Sequence, residues 1–195
     1  SDFMEFIKVP RDINQIVDVS ALNGTAAQTL SGTMVGTSAF SNLEITNTFG
    51  QGSTTQSVIF AAKASTTNAF TMVASTSAQF LAGATSTFQN INWNGVAAAT
   101  RVWLRSSTVG SWWGLDVPGT QQAVALVDVA DSSACSGNPD ITTTSGFNSG
   151  GNSCWAFNNN PTISSAGNQI FEYGGSTTTA SNITVTDHAQ VPVIT

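Results

Sequence analysis

From about residue 25 onward, apolar residues come in short runs broken by Ser, Thr, Gly or Asn. Short alternating runs bordered by turn residues read as half-buried strands. The segments that fit are 43–48, 57–62, 69–74, 78–81, 87–93, 96–105, 123–129, 170–173 and 182–186, with successive starts mostly about ten residues apart. This rhythm predicts an all-β chain, an antiparallel β-sandwich or jelly-roll-like single domain. The sharpest local pattern is FQNINWNGVAAATRVWLR. Ile91 and Trp93 alternate with Asn90 and Asn92, and Val102 and Leu104 alternate with Arg101, Trp103 and Arg105. Between them, Asn94-Gly95 tolerates positive φ at both positions, as a type I′ turn requires, so a β-hairpin is predicted here.

Two regions depart from the strand pattern. Residues 1–18 carry six of the sixteen formal charges. Phe3, Phe6 and Ile7 have helical spacing, and so do Ile13, Ile16 and Val17, but Pro10 interrupts a continuous helix. Residues 1–22 therefore read as an N-terminal arm, part extended and part short helix, ahead of a β-rich domain over 23–195. Residues 131–168 are rich in Gly, Ser and Asn and read as one long irregular loop, and loops of that length are usually functional or mobile. No repeat of fixed period stands out.

Composition narrows the function. Charged residues are only 8% of the chain, against about 25% in an ordinary domain. With 41% hydrophobic residues the chain is not of the disordered type. The surface is left to Ser, Thr, Asn, Gln and Gly. Net charge is −6 with five basic residues, and they are not clustered, which argues against nucleic acid and anionic membranes. No apolar run is long enough for a membrane span. The first residues do not read as a secretory signal, and Ser1-Asp2 fits either removal of an initiator Met or a processed start. Cys135 and Cys154 frame part of the 131–168 stretch, and a disulfide between them closes a loop worth about 3 kcal/mol. Such a bond belongs to an oxidising compartment or a particle surface.

Candidate chemistry is thin. His188 is the single histidine, its neighbour Asp187 would face away from it on a strand, and no GxSxG elbow exposes a serine nucleophile. Glu44 and Glu172 are the glutamates outside the arm and lack the polar company of a glycosidase pair. Asp128, Asp131 and Asp140 could contribute to a loop calcium site, which uses six to eight oxygens, but no EF-hand loop occurs. Zinc lacks ligands, and no nucleotide-binding motif occurs. Sequons at Asn23 and Asn182 are expected by chance in so much Asn, Ser and Thr. No catalytic, metal or cofactor site is expected.

What remains is RVWLRSSTVGSWWGL, which holds three of the five tryptophans. Trp93 shares a face with Ile91 and reads as core. Trp103, between Arg101 and Arg105, points away from Val102 and Leu104. Trp112 and Trp113 are adjacent, so on a strand one faces in and the other out. Trp and Arg together are typical anchors of protein–protein seams. The expected function is a non-enzymatic subunit that assembles with copies of itself, in a virion or an extracellular or cell-surface filament. Phe3, Phe6, Ile7, Arg101, Trp103, Arg105, Trp112 and Trp113 are its candidate contact residues. The alternative is a secreted carbohydrate-binding or adhesive domain that offers exposed tryptophans to glycans.

Overall fold

The computed structural model describes residues 18–22, 26–50, 56–119, 124–136, 140–158, 162–163 and 184–185. Its strands are β1 (Asp18–Leu22), β2 (Gln28–Leu30), β3 (Phe40–Ile45), β4 (Val58–Phe60), β5 (Ser65–Met72), β6 (Ser77–Phe80), β7 (Thr85–Asn94), β8 (Val102–Ser106), β9 (Trp113–Asp116), β10 (Val124–Ala125), β11 (Val127–Val129), β12 (Ser132–Ser133), β13 (Ile141–Thr144), β14 (Phe147–Asn148), β15 (Trp155–Asn158), β16 (Thr162–Ile163) and β17 (Thr184–Val185). Two single 3₁₀ turns, Gly36–Ser38 and Ala98–Thr100, are the helical elements among the described residues.

Every strand pairing among the described residues is parallel. This overturns the antiparallel sandwich. One sheet runs β14-β11-β8-β6-β4-β2. A second runs β1-β3-β5-β7-β10-β13-β15, with β9 and β12 branching from β7, and β16 pairs with β17 in a third. The branch shows how the chain coils. The first half of β7 pairs with β9 through Thr85, Ser86 and Thr87, and its end pairs with β10 through Trp93 and Asn94. The chain thus winds around a common core in stacked turns, each crossing three sides. One turn is β6 followed by the two halves of β7; the next is β8, β9, β10; the next is β11, β12, β13. The last among the described residues is β14, a lone bridge at Ser153, and β15. This is a parallel β-solenoid.

Alternation misled on strand direction for a physical reason. Parallel sheets are normally covered on both faces and read as continuous apolar runs. Here each sheet buries one face inside the coil and wets the other, so the pattern is the one expected of an antiparallel sheet. The period was hidden as well. In-register partners on the first side lie 30, 20, 26, 25 and 19 residues apart, because the connections between strands vary in length.

The predicted hairpin is also corrected. β7 and β8 belong to different sheets, and Asn94-Gly95 sits where the chain leaves one side for the next. Gly95 is needed there for proximity: a Cβ would lie 2.6 Å from the Leu126 carbonyl oxygen of the next turn. The long loop is corrected too, since β12 to β15 all fall within residues 131–168 and continue the stack. Of the arm, residues 18–22 form β1, parallel to β3; residues 1–17 lie outside the described residues.

The core is a column of rings. Phe60 and Phe80 stack at 4.9 Å, Phe80 and Trp113 at 4.1 Å, and Phe70 meets Trp93 edge-on at 5.4 Å. Burying each such side chain contributes about 2–3 kcal/mol. In-register stacking brings like residues together on successive turns, hence the column. Small hydroxyl residues serve the same core. Ser57 and Ser77, both fully buried, exchange hydrogen bonds between side chain and backbone, the Ser57 amide donating to Ser77 Oγ at 2.8 Å and the Ser77 amide to Ser57 Oγ at 2.9 Å. Trp155 Nε1 donates to Ser132 Oγ at 3.0 Å.

Candidate functional site

The outside of the β14–β2 sheet follows the alternation of β8, whereas on β11 Val127, Asp128 and Val129 are all buried. Val102, Leu104, Val127 and Val129 point inward and are buried; Trp103 and Arg105, between them, are half-buried on the outer side. Residues in register on a parallel sheet share a side, and Trp103, Asp128 and Phe147 are in register on β8, β11 and β14. They form one outward row: an indole, a carboxylate and a phenyl ring. Trp103 is half-buried and Phe147 is 50% exposed.

The two arginines flank the row and behave differently. Arg105 is neutralised: its Nη2 lies 2.8 Å from Asp128 Oδ1, and its Nη1 donates to the Asp128 and Leu104 carbonyl oxygens. Ser149 Oγ donates to the same Asp128 oxygen at 2.6 Å. Arg101 has no carboxylate partner among the described residues. Its guanidinium carbon sits 5.4 Å from the centre of the Phe147 ring, and its Nη1 donates to the Ala98 carbonyl. Its Nε is buried without a partner.

The other candidates lie elsewhere. Trp113 is fully buried in the ring column, with Nε1 donating to the Ala130 carbonyl at 3.1 Å, so it offers no outer contact. Trp112 is 50% exposed at the corner between β8 and β9. The Gly83 amide donates to the Trp112 carbonyl at 2.7 Å, which puts the preceding turn's corner, with Leu81, beside it. The two adjoining corners form a ridge that exposes three apolar side chains, Leu81, Val109 and Trp112, 38, 94 and 50% accessible. Phe3, Phe6, Ile7, Glu172 and His188 lie outside the described residues.

Phe147 escaped the sequence reading. It lies in a two-residue strand inside the Gly-rich stretch, where no alternation can register. Leu81 and Val109 escaped because a corner position has no period to break.

Cys135 and Cys154 form a disulfide, as expected, tying the end of β12 to the corner before β15. The bond points to an oxidising, extracellular-type environment. Among the described residues no group of three or more His, Cys, Asp or Glu side chains is placed to hold a metal ion. Asp131, one of the acidic trio, accepts from the Gly110 amide at 3.0 Å. No helix among the described residues is long and apolar enough to cross a membrane. Comparison with protein-family models, curated proteins and solved structures found no match to this chain.

Proposed function

We propose that this chain is a non-catalytic structural subunit that associates with copies of itself in an extracellular setting, as part of a virion shell or fibre or of a surface filament. The observation that carries the reading is the ridge of Leu81, Val109 and Trp112, apolar and solvent-facing on a molecule whose outer positions are otherwise mostly Ser, Thr, Asn and Gly. Covering what these three side chains still expose is worth about 3–5 kcal/mol. A dissociation constant of 1 mM corresponds to about 4 kcal/mol, so one ridge contact is weak. Assembly then depends on many such contacts acting together. The low charge fits, because a sparsely charged surface keeps a free monomer apart poorly but tolerates neighbours.

Sedimentation velocity over a wide concentration range tests this. The native chain is expected to associate with rising concentration, and Trp112→Glu with Val109→Glu to shift that association at least tenfold toward monomer. A native chain that stays monomeric up to its solubility limit would overturn the proposal.

A further inference from the structure

We propose that the outer row Trp103–Asp128–Phe147 is a binding site for an acidic oligosaccharide lying across the turns of the solenoid. The row is separate from the apolar ridge, and the inference does not rest on self-association. Trp103 and Phe147 are two strands apart in register. Neighbouring strands are about 4.8 Å apart, so the two rings sit roughly 9–10 Å from one another along the stack. That is close to the length of one disaccharide unit in an extended glycan, so one sugar ring can lay its C–H face on Trp103 and the next but one on the Phe147 face that Arg101 does not cover. Between the rings lies Asp128. It is buried, and its Oδ1 is held by Arg105 and Ser149, so the sugar contacts fall to the two rings. The Trp103 indole N–H has no partner among the described residues and is a donor for a hydroxyl or ring oxygen.

Charge selects the kind of glycan. Asp128 is matched by Arg105, so that pair adds no net charge to the row. Arg101 is not matched by any carboxylate among the described residues, and it is held against Phe147 by its stacking and by its bond to the Ala98 carbonyl. With Nη1 on the Ala98 carbonyl and Nε buried, Nη2 is the guanidinium nitrogen left to make a charge-assisted hydrogen bond to a carboxylate. The occupant that satisfies both the aromatic spacing and this cation is a chain of uronic acid residues.

Isothermal titration calorimetry of the whole chain with oligogalacturonate, and with cello-oligosaccharide as the neutral comparison, tests the site. Oligogalacturonate is expected to bind the native protein at least tenfold more tightly than the neutral chain. Trp103→Ala and, independently, Phe147→Ala should each weaken oligogalacturonate at least tenfold. Phe147 is half exposed, so its removal is expected to leave the fold intact, and circular dichroism and melting check this for both variants. Arg101→Gln should abolish the preference for the acidic chain, and Trp112→Ala should leave binding unaltered. Absence of binding by either oligosaccharide, equal affinity for both, or affinity that survives Trp103→Ala and Phe147→Ala would overturn the proposal. Sedimentation of the same samples reads self-association separately, so failure of one proposal is not failure of the other.

Discussion

At the scale of single residues, the solenoid is limited by its corners. Ser75, Leu126, Asp131, Ser145 and Cys154 all adopt positive φ, between 51 and 67°. Leu126 alone separates β10 from β11, and Ser145 with Gly146 separates β13 from β14. One left-handed residue turns the chain from one side to the next in the least length, at a cost of about 1–2 kcal/mol for a side chain that crowds its own carbonyl. Glycine relieves that crowding and loses about 0.4–1 kcal/mol of it again through a freer unfolded chain. Ser145 is solvent-exposed, so little packing is at stake. Ser145→Gly is therefore expected to raise stability by about 0.5 kcal/mol, read as a higher denaturant midpoint; a lower midpoint would show that the hydroxyl contributes more than the strain costs. Elsewhere glycine answers to space: at Gly114 a Cβ would collide with Thr85 on the preceding turn.

Element by element, stability falls off where strands are short. β5 and β7 span eight and ten residues, but β12 and β14 have two each. The Cys135–Cys154 bond sits where the ladders are thinnest, and closing a loop of this length contributes about 3 kcal/mol by limiting the unfolded chain. Cys135→Ser with Cys154→Ser is expected to lower unfolding free energy by about 3 kcal/mol in oxidising buffer. Reductant should lower the native chain to the same level and leave the double variant unchanged. Equal midpoints for the native chain with and without reductant would refute the assignment of stability to this bond.

At the scale of the whole molecule, a stack in which each turn touches only its neighbours opens from its ends. The ring column of Phe60, Phe70, Phe80, Phe88 and Trp93 lies in the middle turns, whereas Phe147 and Asn148 on β14 are both exposed. Amide hydrogen exchange should accordingly be slowest in β4 to β7 and faster by at least a hundredfold in β14. Uniform protection from β4 to β14 would mean that the stack unfolds as one unit. The same architecture explains how a chain with few charges holds its shape: the stabilising groups are stacked rings and hydrogen-bonded hydroxyls repeated from turn to turn.

The chain by itself determined where most of its long strands run and which residues face inward. Ile91 with Trp93, Val102 with Leu104, and Trp113 against Trp112 all sort as their alternation implied, and the two cysteines pair. These properties are local, set by the two-residue period of an extended chain, or by the presence of only two thiols. Strand direction, the coiling of the sheets and the row of Trp103, Asp128 and Phe147 were decided only by the tertiary structure. Alternation is the same in parallel and antiparallel sheets, and residues 19 and 25 positions apart become neighbours only when connections of unequal length bring their turns into register.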